Sequence, residues 1–423
     1  MKTILFSCLL PVMGLAATSG APVLTPLSAL EQQAHQRISG KARVPLAEQS
    51  SALFKGIDSL EPGNSALVPN YVRAMLPKMS GPFSHAFKTF VSSSSLPSET
   101  KLGMALRIAQ INNSAYTVAH IERLLRATER GKVMLSALQA GNTSKLTVPE
   151  QQALAYGDAL TRNVAGLSDA EFMGARGVYN DSQIVELTFT TCFFNYFTRY
   201  AEALNLPVEA WVFETSPAPL PSAPAAPARV SLVSDNEMRG VEAALAANKA
   251  SNSPSAAWGI GIANSQRAML NAPEMMLAWR AYTTAGQEYA DVSREIKLQV
   301  SFAVSTANGC RYCTLHQVLG LRRLGVDPAK LMAMHKDDSA LKPVELAAVS
   351  YARKLTAAPA GTTDADYKAL RDVFKDQGAV EVLLQTCNFA FMNRFTDGLR
   401  LPSEDEAVKV YQETYGRAWE RKK

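Results

Sequence analysis

The sequence has little cysteine, little excess charge of either sign, and no long apolar run after its N-terminal segment. Five cysteines in 423 residues are too few for a disulfide scaffold. Lys and Arg outnumber Asp and Glu by only 43 to 38, a net charge of +5. No Lys/Arg run is long enough to track a phosphate backbone, which sets nucleic acid aside as a partner. Without a later stretch of about 18 uncharged apolar residues, no membrane span is expected. What is present is apolar: 47% of residues are hydrophobic and 19% charged. That balance excludes a disordered polyelectrolyte and supplies enough apolar surface for two cores, the number this length suggests.

Residues 1–21 read as a signal peptide rather than as part of a fold. Lys2 gives a positive start, Ile4 to Ala17 a short apolar stretch, and Gly14-Leu15-Ala16 and Ser19-Gly20-Ala21 two small-residue cleavage patterns. A lipoprotein signal built on Cys8 fails, because few apolar residues precede it and Phe6 is bulky. The rival reading, a buried N-terminal helix of a cytosolic protein, is set aside in favour of export. A periplasmic or secreted location is the expectation, and Cys192, Cys310, Cys313 and Cys387 then remain.

A Pro/Ala-rich segment at 215–230, TSPAPLPSAPAAPARV, favours extended polyproline II and marks a linker. It separates two halves, 22–214 and 231–423, that resemble each other. At an offset of 196, Glu99, Lys101, Leu102, Asn112, Tyr116 and His120 fall on Glu295, Lys297, Leu298, Asn308, Tyr312 and His316. At an offset of 195, VELTFTTCFFNYFTRYAEALNLP from Val185 falls on VEVLLQTCNFAFMNRFTDGLRLP from Val380. One small loop indel accounts for the change, so the chain reads as a duplicated domain.

Both halves read as helix. Val185, Phe189, Cys192, Phe193, Tyr196, Phe197 and Tyr200 recur at steps of three and four, one face of a helix. The β-branched run from Leu187 to Thr191 suggests a strand, but its partner from Leu383 to Thr386 does not, and the strand is rejected. Asn308-Gly309 breaks between two helices, and Gly325 ends the second before Asp327-Pro328. The predicted architecture is all-α, with two tandem helical bundles.

Chemistry concentrates at Cys310-Arg311-Tyr312-Cys313, at a helix start, with His316 three residues on. A helix N-terminus favours thiolate, and residues spaced by three share adjacent sectors of one helix. Two thiols and a base within reach suit a dithiol peroxidase or disulfide exchanger. A zinc site would need two more ligands, and a structural disulfide would fit an oxidising compartment. Cys192 and Cys387 are expected in the core, Arg199 and Arg394 in buried or interfacial ion pairs, His335 at a solvated helix end, and Met269 to Trp279 in the core.

The stretch VSTANGCRYCTLHQVLGLRRLGV, together with FMNRFTDGLRLP further on, resembles the carboxymuconolactone decarboxylase / alkylhydroperoxidase D-like family. The resemblance covers most of the second half and, through the repeat, much of the first. It implies an all-α fold, homo-oligomeric assembly (a trimer as pseudo-hexamer, or a dimer) and thiol-dependent peroxidase activity without a cofactor or metal. It assigns Cys313 as the peroxide-attacking thiol, Cys310 as its disulfide partner in a redox-active disulfide, and His316 as the activating base. The helix-dipole argument alone favours Cys310 as the more acidic thiol; proximity to His316 decides for Cys313. The pattern departs from the prototype in two ways. Only Thr314-Leu315 separate the second Cys from the His, and Leu298 stands where a proton-relaying Glu is usual, with Glu295 one turn earlier as a substitute. In the first half Ser114 and Thr117 replace the cysteines while Glu99, Tyr116 and His120 remain, a degenerate counterpart expected to serve packing.

The expected function is that of an exported dithiol peroxidase acting on a peroxide, with an unidentified thiol reductant that a thioredoxin-like protein would supply. The alternatives are a carboxymuconolactone decarboxylase-like enzyme, whose relatives use no C-x-x-C, and a non-catalytic scaffold with a structural disulfide.

Overall fold

The computed structural model describes residues 24–54, 67–213 and 263–416, and these contain helices and no strand. Residues 1–21, expected as a signal peptide, and 215–230, expected as a linker, lie outside them. Among the described residues, nine α-helices precede residue 215: α1 (Leu27–Gln36), α2 (Asn70–Arg73), α3 (Pro77–Val91), α4 (Ser98–Ile111), α5 (Ala115–Leu125), α6 (Glu129–Gln139), α7 (Val148–Arg162), α8 (Asp169–Arg176) and α9 (Asp181–Ala203). Eight more are described after it: α10 (Asn264–Met269), α11 (Pro273–Gly286), α12 (Arg294–Ala307), α13 (Arg311–Arg323), α14 (Pro328–Lys336), α15 (Pro343–Ala357), α16 (Asp364–Gly398) and α17 (Asp405–Tyr415). The residues Leu187 to Thr191 are helical, inside α9.

Local chemistry sets these boundaries. Thr147 and Thr363 each accept the N–H of a residue three on, whose carboxylate reaches back, so α7 and α16 start on capping boxes. Asp327 caps α14 with Pro328 at its first position. Gly309 has φ +68, a conformation open to glycine at little cost, which lets α12 stop and α13 begin at a new angle. The long α16 bends at Lys375, where φ is 62.

The packing repeats between halves. In the first, α4 lies against α5, α7 and α9; in the second, α12 lies against α13, α15 and α16. The same ion pair closes each, Lys101–Glu186 at 3.4 Å and Lys297–Glu381 at 2.8 Å. The halves meet where α9 packs on α16 and α3 on α11. Their seam is aromatic: Tyr196 meets Trp279 at 5.5 Å, Phe189 meets Phe395 at 4.9 Å, and Phe83 meets Tyr282 at 5.1 Å. Tyr196 and Tyr282 join hydroxyls across it. One apolar core therefore runs through both halves, with a smaller cluster around Phe302, Leu315, Leu319 and Tyr411. Burial of rings of this size is the main favourable term holding the halves together. No described helix is long and apolar enough to cross a membrane.

Six side chains behave as expected and three do not. Cys192 and Cys387 are fully buried, and Met269, Met275, Met276 and Trp279 are core. Arg199 and Arg394 are buried at 3% and 2% exposure, but neither has a carboxylate partner among the described residues, so the expected ion pairs are absent. Instead each reaches across the seam to a helix end: Arg199 donates to the Thr356 carbonyl at 3.5 Å and Arg394 to the Thr161 carbonyl at 3.2 Å. The partial negative charge of a helix C-terminus takes the place of a carboxylate. His335 is half-buried, edge-on to Phe302 and Tyr415, because α14 is pinned between α12 and α17 rather than left in solvent.

Candidate functional site

The Asn308-Gly309 turn delivers Cys310 to the N-cap of α13, where its Sγ accepts the Cys313 N–H at 3.3 Å. The turn is held from two sides. Cys310 N–H donates to the Ser305 carbonyl at 2.9 Å, and the Asn308 amide donates to Asn393 Oδ1 on α16 at 2.9 Å. Both thiols are free and buried, at 0% and 3% exposure. Between them, also from α16, lies Thr396: its Oγ1 is 3.4 Å from Cys310 Sγ and 3.5 Å from Cys313 Sγ.

Burial pushes the Cys310 thiol well above its ordinary range, Cys313 and Asp397 add to the rise, and the Thr396 hydroxyl works the other way. At Cys310 burial thus opposes the helix-dipole effect. A thiol with no exposed surface loses more by desolvation than one N-cap hydrogen bond returns.

His316 follows on the same helix, and its ring lies on that of Tyr312 at 4.2 Å. Its Nδ1 is 2.7 Å from the Tyr312 carbonyl, so Nδ1 carries the hydrogen and Nε2 turns the other way. Nε2 sits 2.6 Å from Glu404 Oε2, off the line of an ideal hydrogen bond. Glu404 Oε1 accepts the Tyr312 hydroxyl at 3.0 Å and the Asn264 N–H at 2.7 Å. Burial works against ionisation of Glu404, but the His316 contact and the Asn264 N–H outweigh it and hold the carboxyl below its usual range. No hydrogen bond links His316 to either sulfur; the dithiol and the His–Glu pair are neighbours on α13, each with its own partners.

Glu404 is therefore the carboxylate of this site, and sequence reasoning missed it. Glu295 is elsewhere, bound to Lys330 at 2.9 Å and to Gln299 at 3.0 Å. Lys330 draws it to the α14 side, away from His316. A signal for Glu404 was available: two residues beyond the last matched prolines, Pro207 and Pro402, both halves carry a Glu.

The first-half Glu is Glu209, and it does the same work. His120 Nε2 is 3.0 Å from Glu209 Oε2, the Tyr116 hydroxyl donates to Oε1 at 3.1 Å, and the Asn70 N–H donates to Oε1. Beyond this, the halves differ. Ser114 caps α5, meets Thr117 Oγ1 at 2.8 Å and donates to Glu202 at 2.8 Å; Glu202 in turn pairs with Arg37 at 2.7 Å. Glu99 takes a hydrogen bond from Thr128 at 2.9 Å and stands apart from His120's partners.

Fold and site together define an all-helical protein with a buried Cys-x-x-Cys at a helix N-terminus and a His–Glu pair one turn on. Residues 273–354, from α11 into α15, match the model of the carboxymuconolactone decarboxylase family. Two solved structures of the debrominase Bmp8 are also similar. The apo form is 21% identical over 36% of this chain and 83% of that chain, with a TM-score of 0.34. A cysteine-to-alanine variant in complex with 2,3,4-tribromopyrrole is 18% identical over 44% and 96%, with a TM-score of 0.37. No curated protein matches.

Proposed function

We propose that this chain is an exported thiol-dependent peroxidase whose chemistry resides in the second half. The observation that carries the reading is the buried, reduced pair Cys310/Cys313 beside His316 and Glu404. The Cys313 thiolate attacks the distal peroxide oxygen, the O–O bond breaks, and the leaving alkoxide takes a proton to become the alcohol. Cys313 is then a sulfenic acid; Cys310 attacks its sulfur, hydroxide leaves as water, and a disulfide closes. Two electrons from a thiol reductant restore the pair. The His316–Glu404 pair supplies and stores the protons that these steps move.

The chain is an internal duplication in this reading, and two tandem copies stand in for part of a family oligomer. Support comes from contacts recurring at offsets of 194 to 196: Tyr116 and Tyr312 on Glu209 and Glu404, and Asn70 and Asn264 amides on the Pro207 and Pro402 carbonyls at 2.9 and 3.0 Å. The first half, with Ser114 and Thr117, cannot form a disulfide and is inert in redox.

Mass spectrometry of the two thiols before and after a peroxide pulse, followed by turnover with added dithiol, tests the reading. Loss of two hydrogens across Cys310/Cys313 with sustained turnover supports it. Thiols that stay reduced favour the decarboxylase-like alternative, and a disulfide that forms but never turns over favours the scaffold.

A further inference from the structure

The two halves differ at Thr396, whose hydroxyl bears directly on the thiols. Thr396, on α16, is fully buried with its hydroxyl oxygen within 3.4 and 3.5 Å of both sulfurs. At the matching offset the first half has Ala201, and there Ser114 and Thr117 meet each other directly. The bridging hydroxyl is present where the thiols are and absent where they are not.

Hydrogen-bond capacity says what it does. A hydroxyl has one proton to give and two lone pairs. Here the proton goes to the Met392 carbonyl at 3.0 Å, leaving both lone pairs to accept S–H from Cys310 and Cys313. A thiolate has no proton to donate. The Thr396 hydroxyl then turns from Met392, whose carbonyl keeps its helical N–H partner, and donates to the charged sulfur. A hydrogen bond to an ionised acceptor is roughly twice as strong as a neutral one.

We propose that Thr396 is the positioning residue of the dithiol, switching from acceptor to donor when one sulfur ionises and holding the second sulfur within reach for disulfide closure. This rests on the dithiol reading of the site. The other titratable groups facing the pair are fixed: His316 with Glu404 on the α13 side, Asp397 on α16, and Cys192 from α9. On α12, Glu295 and Lys297 are committed to Lys330 and Glu381, and on α17 Glu406 pairs with Arg323. None of these changes when Thr396 is replaced.

The test is the pH dependence of iodoacetamide alkylation of the reduced full chain, read for each cysteine by mass spectrometry, in wild type, Thr396→Val and Thr396→Ser. Valine matches threonine in shape and lacks the hydroxyl. It is expected to raise the apparent pKa of the reacting thiol by about one unit, hence about tenfold slower alkylation near neutral pH, with the same plateau at high pH. Serine keeps the wild-type profile. Should Thr396→Val fail to fold, Thr396→Ala, the residue the first half carries, takes its place. A valine or alanine profile that overlays wild type, or thiols that resist alkylation at every pH, overturns the proposal. Alkylation needs no peroxide, so a wild type that consumes none would sink the peroxidase reading and leave this result standing.

Discussion

Glu404→Gln isolates the charge of the His–Glu pair from its geometry. The amide keeps an oxygen for the Tyr312 hydroxyl and the Asn264 N–H, which hold Glu404 Oε1 at 3.0 and 2.7 Å. What is lost is the carboxylate 2.6 Å from His316 Nε2. Its side chain is only 14% exposed, so solvent replaces little of the interaction, and a hydrogen bond to a charged group is worth about 1.5–3 kcal/mol. If His316 moves protons only with that carboxylate beside it, peroxide turnover falls about 10- to 100-fold, less than complete loss of a general base. Stability supplies a second, independent readout. Glu404 titrates in the folded state below its unfolded value of about 4.3. Its ionisation therefore favours folding, fully so above the unfolded value, and the contribution vanishes as pH falls through the lower folded one. Urea unfolding at neutral pH shows the variant less stable than wild type, and the gap closes on acidification. Unchanged turnover in a folded variant, or a gap that widens in acid, refutes the reasoning.

Cys313→Ser is expected to abolish peroxide consumption, while Cys310→Ser permits one stoichiometric oxidation without turnover, since a sulfenic acid forms but finds no partner; equal activity in both defeats the assignment. His120→Ala leaves turnover nearly unchanged, whereas His316→Ala lowers it by about 10²–10⁴-fold, both measured beside a folding check. Arg394→Met costs about 1 kcal/mol or less in urea unfolding, because it leaves one helix-end carbonyl short and no carboxylate behind; the 3–5 kcal/mol typical of a broken buried pair would reveal an acidic partner.

How much the residues disclose depends on how far apart the interacting groups lie in the chain. The helices, the Asn-Gly turn and the buried Cys192 and Cys387 are decided within a turn or two, by periodicity and capping, and they are where periodicity puts them. The grouping of Cys310, Cys313 and His316 on α13 is equally local. Glu404 is not, since it reaches Tyr312 across 92 residues, and a search confined to the helix before the cysteines finds Glu295 instead. Arg199 and Arg394 were legible as buried, but their partners are backbone carbonyls at helix ends, and no side chain in the sequence advertises a carbonyl. Thr396 was hidden for another reason: on a helix where Thr386 and Thr396 both bond their own backbone, nothing but the fold singles out the one that faces two sulfurs.

The pairing of Glu209 with His120 bears on why a half without thiols keeps its histidine. Glu209 is tied at once to α5, through Tyr116 and His120, and to the segment entering α2, through the Asn70 N–H. Tyr71 N–H completes the tie by donating to the Tyr116 hydroxyl at 3.2 Å. The second half repeats each bond, with Asn264 and Ser265 on Glu404 and Tyr312. A cluster that fastens an incoming segment to the first turn of a helix has structural value whether or not sulfur stands beside it. Removing one member leaves buried polar atoms unsatisfied, at about 1–3 kcal/mol. Selection for folding alone would thus retain His120, Tyr116 and Glu209 in a half without cysteines. In the proposed reading their counterparts become chemical in the second half, where Cys310 and Cys313 share a helix with His316 and approach the hydroxyl of Thr396.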